Sequence, residues 1–252
     1  MPTLYVVIPV FDEPHTLEPC VRRALLAPLP VGWLAHLLLI DDASGQATAH
    51  VADRLAHELG GPHAAFELLR HARNQGKGAA LQTGFDRVLS IANDGDAVLT
   101  QDGDLEYDPA DWKALVAALP DAAHGAVIGN RWERQTPMGL WGRFHSLVNR
   151  VLTLFSNALT GIRVHDMECG YKLLRIPLLR AMRPWISERR FGVEPQMVAA
   201  LARLHAVVRE VPVHYNPRDR RRGKKIGPRD GVEAIGVIVR ERFRRNPPSR
   251  SR

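Results

Sequence analysis

Short, unbroken apolar runs recur through the first half of the chain, and each is followed by a stretch with helical spacing. The runs at residues 4–10, 37–40, 66–70, 97–101 and 125–128 read as strands. Between them, residues 16–27, 48–58, 78–91 and 111–118 place apolar side chains three and four apart, the period of a helix with one buried face. Strands that are apolar throughout, rather than alternating, must be covered on both faces. With helices between them they predict a mostly parallel central sheet flanked by helices, an α/β class in a single main domain.

The second half reads differently. Residues 141–159 form an amphipathic pattern with Trp141, Phe144, Val148, Val151, Leu152 and Phe155 on one side, and Arg143, Ser146, Asn149 and Arg150 on the other. That pattern suits either packing on the core or lying on a membrane, and core packing is the expectation. Residues 193–203 and 232–243 read as further helices, and 207–213 as a strand. The divisions expected are a body over 1–215, a basic loop and a packed C-terminal helix over 216–243, and a disordered basic tail over 244–252.

Charge changes this picture at one end only. The chain carries a formal +7 over 252 residues. From residue 216 onward there are 13 Lys or Arg against 4 Asp or Glu, so the rest of the chain sums to −2. A basic terminus beside a near-neutral body suits an anionic partner. Nucleic acid is disfavoured, because aromatics make up only 6% and few stand among the basic residues, leaving no evident stacking platforms. Hydrophobic residues at 45% support a sizeable core, and no run of 18 or more apolar residues reads as a membrane span. No secretory signal pattern opens the chain, and Cys20 and Cys169 are read as buried thiols of a reducing compartment.

Three predicted strands end in polar clusters: Phe11-Asp12-Glu13, Asp41-Asp42, and Asp102-Gly103-Asp104 with Glu106 beyond. In open α/β sheets the ligand crevice lies outside the carboxyl ends of the strands, so all three should face one site. Carboxylates at alternate positions after a buried strand are costly without a counter-charge. Mg²⁺ or Mn²⁺ supplies one and also binds diphosphates, which makes Asp102, Asp104 and Glu106 candidate metal ligands. The competing reading is an acidic turn leading into a helix at Asp108-Pro109. After the second strand, Asp42 or Ser44 could equally cap a helix. Residues 73–80 place Gly76 and Gly78 around Lys77 just before a helix, where backbone and cation can approach a phosphate, although the P-loop spacing is absent. A nucleotidyltransferase would show a glycine-rich basic loop after the first strand. Phe11-Asp12-Glu13-Pro14 stands there instead.

Taken together, Val7-Ile8-Pro9-Val10-Phe11-Asp12-Glu13, Ile40-Asp41-Asp42-Ala43-Ser44, Arg73-Asn74-Gln75-Gly76-Lys77-Gly78 and Asp102-Gly103-Asp104 occur in the order seen in family 2 glycosyltransferases. The chain resembles most their polyprenyl-phosphate branch, typified by dolichyl-phosphate mannosyltransferase and glucosyltransferase. The similarity continues through Ile128-Gly129-Asn130-Arg131, Thr160-Gly161, Asp166, Cys169-Gly170-Tyr171-Lys172 and Arg218 with Gly223-Lys224-Lys225-Ile226.

The resemblance implies a GT-A (Rossmann-like) fold and an inverting, metal-dependent transfer of a hexose from a UDP- or GDP-sugar to a polyprenyl phosphate. Pro9, Phe11, Glu13 and Asp42 would line the base and ribose pocket. Asn74, Gly76, Lys77 and Gly78 would complete the nucleotide side, with Asp102 and Asp104 at the sugar diphosphate. Arg131, Arg143, Ser146, Arg218 and Lys225 would meet the acceptor phosphate. The protein would be cytoplasmic, peripheral on an anionic membrane surface at the inner face of the cytoplasmic membrane.

A lipid phosphate is already an anionic nucleophile and needs no strong base. Catalysis then rests on positioning, on Asp104 with its metal, and on cations such as Arg131. A saccharide hydroxyl in cell-surface polysaccharide synthesis is the alternative acceptor and would need a carboxylate base, Asp166 or Glu194.

Overall fold

A computed structural model describes residues 1–61, 64–134, 140–218 and 228–247 of the chain. The elements run β1 (Thr3–Val10), α1 (Leu17–Leu25), β2 (Leu34–Asp41), α2 (Gln46–Leu59), β3 (Phe66–Arg70), α3 (Lys77–Ile91), β4 (Ala97–Thr100), α4 (Trp112–Ala118), β5 (Gly125–Asn130), α5 (Leu140–Thr160), β6 (Lys172–Arg175), α6 (Ile176–Met182), α7 (Val193–Arg203), β7 (Val207–Pro212) and α8 (Pro228–Phe243). The strands form one sheet in the order β3-β2-β1-β4-β6-β5-β7.

The unbroken apolar runs lie at the centre of this sheet, as their composition requires. Leu4, Val6, Val7 and Ile8 of β1 and Leu37–Ile40 of β2 have no exposed surface. β1 pairs in parallel with β2 and β4, β2 with β3, and β5 with β7. α3 lies directly over β1, where a Cβ at Gly84 would fall 2.3 Å from Val7 Cγ1, so only glycine permits that approach. The mostly parallel α/β sheet flanked by helices is the class expected from the sequence.

One strand departs from the reading of the sequence. β6 runs antiparallel between β4 and β5. It is only Lys172–Arg175, too short to carry a periodic signal, and its first residue is a lysine. Its direction matters, because the loop that enters it, residues 161–171, lies at the carboxyl edge of β4 and β5. The Gly129 N–H donates to the Tyr171 carbonyl at 2.9 Å, and the Tyr107 hydroxyl accepts the Gly170 N–H at 2.8 Å.

α5 packs on α7 and α8, yet its buried edge is partly polar. Asn149, Thr153 and Ser156 are buried, while Leu147, Val151, Leu154 and Phe155 are exposed. Expectation had placed Val151 and Phe155 inward and Asn149 outward. The inward polar groups serve neighbouring backbone: Thr153 accepts from the Met167 N–H, and Asn157 donates to the Val164 carbonyl. α8 packs on α5 and α7 and likewise leaves Val232, Ile235, Val239 and Phe243 exposed. No described helix is long and apolar enough to cross a membrane. Residues 219–227 of the predicted basic loop and 248–252 of the predicted tail lie outside the described residues.

Candidate active site

The three acidic strand ends come together at the carboxyl edge of the sheet. After β1, Asp12 takes a left-handed φ of 49° and its carboxylate accepts the Gly45 N–H at 2.7 Å, while its own N–H donates to Ser44 Oγ. Ser44 therefore ties β1 to β2 rather than capping α2. Glu13 is buried and points toward the crevice, accepting a hydrogen bond from Thr16.

After β2, both oxygens of Asp42 are occupied by the chain itself. Oδ1 accepts the Gln75 N–H at 2.8 Å and Oδ2 the Gly76 N–H at 2.7 Å, with His71 on Oδ1 at 2.6 Å. Asp42 thus holds the turn that leads into α3. That turn needs its glycines. Gly76 has φ +97°, and Cβ atoms at Gly76 and Gly78 would fall 2.4 Å from the Arg189 carbonyl and 2.2 Å from the Glu188 carbonyl. Asn74 is exposed at its rim, and Pro9 and Phe11 are half-buried beside it.

The turn delivers Lys77 inward. Its ammonium lies 2.7 Å from Asp102 and 2.8 Å from Glu194. Glu194 also pairs with Lys172, whose ammonium donates to the Cys169 carbonyl at 2.6 Å and to the Met167 carbonyl. Burial would push the Glu194 carboxyl up. Lys172 and Lys77 outweigh it and hold the pKa down at about 2. Asp166 is also consumed: Arg131 donates its Nε, Nη2 and backbone N–H to it at 2.7, 2.6 and 3.1 Å. Both carboxylates expected as a base are held in ion pairs, and Glu194 in addition lies far below the near-neutral range that role needs.

Asp104 and Glu106 sit in a different environment. Arg218 reaches back from beyond β7 and inserts its guanidinium among Glu13 (2.8 and 3.1 Å), Asp104 (3.0 Å) and Glu106 (3.7 Å), while its N–H donates to Glu106 at 2.8 Å. Tyr215 donates to the other Glu106 oxygen. Burial, with Asp102 and Glu106 nearby, pushes Asp104 up to about 7. Among the described residues no three His, Cys, Asp or Glu side chains come close enough to hold an ion by themselves. The cluster nonetheless demands positive charge, and a guanidinium supplies it. Oxygen-only donors that crowd around a cation fit Mg²⁺ or Mn²⁺, provided a diphosphate completes the coordination.

The predicted acceptor-side residues divide. Arg131 is buried on Asp166 with its guanidinium 5.1 Å from the Tyr215 ring and 5.3 Å from Trp132. Ser146 is half-buried on α5, the side chain of Arg143 and all of Lys225 lie outside the described residues, and Arg218 is on the carboxylates. The Arg150 guanidinium also lies over the Trp132 ring, 5.0 Å from its centre. With Arg163, Thr153, Leu154 and Asn157 it lines a cavity of about 490 Å³. Neither Arg150 nor Arg163 forms an ion pair with another described residue.

Sequence reasoning missed His71, Tyr215, the carbonyls of Glu188 and Arg189, and Glu168. Only Glu168 carried a signal, standing inside the Asp166–Lys172 motif. It is half-buried, its Oε1 is buried without a hydrogen-bond partner, and burial with the Glu194 charge pushes it up to about 7.

A nucleotide-type crevice at the carboxyl edge of an α/β sheet, with a cation-seeking acidic loop, defines a GT-A glycosyltransferase architecture. Residues 5–183 match the family described as Glycosyl transferase family 2, and the chain belongs to that family. It is 28% identical over 190 residues to a dodecaprenyl-phosphate galacturonate synthase of Rhizobium johnstonii, covering 75% of this chain and 52% of that one. It is 29% identical over 216 residues to an undecaprenyl-phosphate 4-deoxy-4-formamido-L-arabinose transferase of Salmonella paratyphi B, covering 85% and 60%. The chain therefore spans between half and three-fifths of these relatives' length. Among solved structures, glucosyl-3-phosphoglycerate synthase from Mycobacterium tuberculosis, crystallised with Mn²⁺, UDP and phosphoglyceric acid, superposes with a TM-score of 0.66 at 20% identity, covering 98% of this chain and 80% of that one. Staphylococcus aureus TarS in complex with UDP-GlcNAc gives 0.60 at 16% identity, covering 96% and 66%. These two likenesses speak to the fold.

Proposed function

We propose that this protein transfers a hexose from a nucleoside diphosphate sugar to the phosphate of a polyprenyl lipid, with inversion. The observation that carries the reading is a chain of contacts that runs from the acidic strand ends through Tyr215, Arg131 and Trp132 to Arg150. Arg150 and Arg163, neither in an ion pair with another described residue, line the cavity at its far end. The curated relatives, named for transfer to dodecaprenyl and undecaprenyl phosphate, support the same acceptor class.

Asp102, Asp104 and Glu106 would hold Mg²⁺ or Mn²⁺, which would supply positive charge at the leaving diphosphate; the M. tuberculosis synthase was crystallised with Mn²⁺ and UDP. Pro9, Phe11, Glu13, Asp42, Asn74, Gly76 and Gly78 would frame the nucleotide. Lys77, at the start of α3 with its ammonium on Asp102 and Glu194, would reach the diphosphate. A phosphate oxygen of the acceptor attacks the anomeric carbon, the carbon–oxygen bond to the nucleoside diphosphate breaks on the opposite face, and the nucleoside diphosphate leaves as a trianion with the electron pair. No proton has to move, which fits a site whose Asp166 and Glu194 are locked in ion pairs. The same locking argues against the saccharide-hydroxyl alternative.

Arg131, Arg143, Ser146 and Lys225, with Arg218 once released from the carboxylates, would gather at the acceptor phosphate. The outward apolar rows of α5 and α8, beside Arg150 and Arg242, suit peripheral contact with an anionic bilayer at the inner face of the cytoplasmic membrane. A thermal-shift screen of UDP- and GDP-sugars with and without Mn²⁺, followed by transfer to a short-chain polyprenyl phosphate, tests the reading. Donor binding without transfer to any lipid phosphate, but with transfer to a sugar, would replace it by the saccharide alternative.

A further inference from the structure

Apart from the Glu13, Asp104 and Glu106 set around Arg218, charge in the crevice is balanced with one exception. Asp102 and Glu194 are matched by Lys77 and Lys172, and Asp166 is matched by Arg131. Glu168 adds one carboxyl to this arrangement and has no hydrogen-bond or ion-pair partner among the described residues. The charges that act on it are Glu194 from α7, Lys172 from β6, Arg131 from the end of β5 and Asp166 from its own loop, and these four are committed to one another in pairs. Buried polar atoms are satisfied in the great majority of cases, and an exception in a crevice calls for an explanation.

The position of the loop supplies one. Residues 166–171 cross the carboxyl edge of β4 and β5, and the loop touches the donor side directly. A Cβ at Gly170 would fall 2.5 Å from Asp102 Oδ2, so the backbone lies against that carboxylate. Glu168, two residues earlier, is half-buried as a residue, and its Oε1 is buried and, among the described residues, without a hydrogen-bond partner. A carboxyl there, without a protein donor, can be satisfied by hydroxyl groups brought in by a ligand.

We propose that Glu168 reads the transferred sugar: its carboxyl accepts hydrogen bonds from pyranose hydroxyls and selects a neutral sugar over a carboxylated one. A uronic sugar would place a second negative charge beside a carboxyl already unbalanced by its neighbours, whereas a neutral hexose supplies the missing donors. Discrimination should tighten as pH rises and Glu168 ionises. The inference rests on the donor assignment proposed above, and concerns the sugar, not the nucleotide or the acceptor.

The test measures calorimetric binding of UDP, UDP-glucose and UDP-glucuronate, or of GDP and GDP-mannose if guanine is the base bound, to the intact chain with Mn²⁺ at pH 6 and pH 8. Glu168→Ala should weaken the sugar nucleotide at least tenfold and leave the bare nucleoside diphosphate within twofold. Glu168→Gln, which keeps shape and an acceptor oxygen, should retain most sugar affinity. If uracil is the base, it should also admit UDP-glucuronate and lose the pH dependence of the preference. Circular dichroism and melting of Glu168→Gln check that the fold is kept. Equal weakening of nucleotide and sugar nucleotide, or no weakening, would overturn the role of Glu168 while leaving the donor assignment standing. Failure of the wild type to bind either UDP or GDP would instead remove the donor assignment and this inference with it.

Discussion

Two groups of buried and half-buried carboxylates share the crevice and are neutralised in opposite ways. Asp102 and Glu194 are matched by Lys77 and Lys172, cations delivered by the N-terminus of α3 and the start of β6, both rigid parts of the fold. Asp104, Glu106 and Glu13 are matched by Arg218, which arrives from just before residues 219–227 and stands 205 positions from Glu13. The first set has the signature of permanent pairing, with Glu194 held at about 2. The second carries surplus negative charge, with Asp104 at about 7 even beside a guanidinium. A buried ion pair whose partner is built into the sheet acts as structure. One whose partner sits on a segment at the edge can exchange that partner for another cation.

Disrupting each set should therefore produce different failures. The largest effect on stability is expected from Glu194→Ala, which leaves Lys77 and Lys172 facing each other in a buried site. Losing one member of a buried pair costs about 3–5 kcal/mol. Denaturant unfolding should show a sharply lowered midpoint, and an unchanged midpoint would mean that the lysines find other partners. Asp104→Asn should do the reverse. It should keep stability within about 1 kcal/mol, because it relieves like-charge crowding while losing an Arg218 contact, and it should lower metal-dependent turnover about 100-fold or more in a glycosyl-transfer assay. Retained turnover would remove Asp104 from the metal site.

The pH response separates the sets further. Glu194 lies below the ordinary carboxyl value, so its stabilising contribution is present above about 4.5 and is lost as pH falls toward about 2. Glu168 lies above that value. The folded chain then holds its proton more tightly than the unfolded one, and stability declines as pH rises from about 4.5 through about 7. Melting temperatures across this range should bend at both ends, with Glu168→Gln reducing the upper bend, to which Asp104 also contributes, and leaving the lower one unchanged. A smaller effect is expected from Arg218→Ala. Removing the resident cation should make Mn²⁺ alone raise the melting temperature by more than it does in the wild type, and an identical shift would mean that the guanidinium does not compete with the ion. Leu154→Asp, on the exposed row of α5, should be the mildest. It should change stability within about 0.5 kcal/mol yet reduce sedimentation with vesicles containing phosphatidylglycerol.

Much of this arrangement was legible along the chain, and some was not. Unbroken apolar runs alternating with amphipathic helices determined a parallel sheet, because a strand buried on both faces has no room for polar alternation. The topology of such sheets then put Glu13, Asp42 and Asp102–Glu106 at one edge. The glycines around Lys77 announced a close backbone approach, and Gly76 and Gly78 meet the carbonyls of Arg189 and Glu188. Antiparallel β6 carried no signal, because four residues cannot display a period. The inward polar edge of α5 was misread, because the partners of Thr153 and Asn157 lie in the loop at 161–171 and not in the helix.

By itself the sequence determined which chemistry gathers at the sheet edge, since burial pattern and strand direction are local properties. Only the tertiary structure decided how that chemistry is shared out: that Asp166 and Glu194 are consumed as ion-pair partners, that Arg218 lies on carboxylates, and that Glu168 is left over. Charge pairing is a competition among every group the fold brings within a few ångströms, and groups such as Arg218 and Glu13 meet only after the intervening chain has closed.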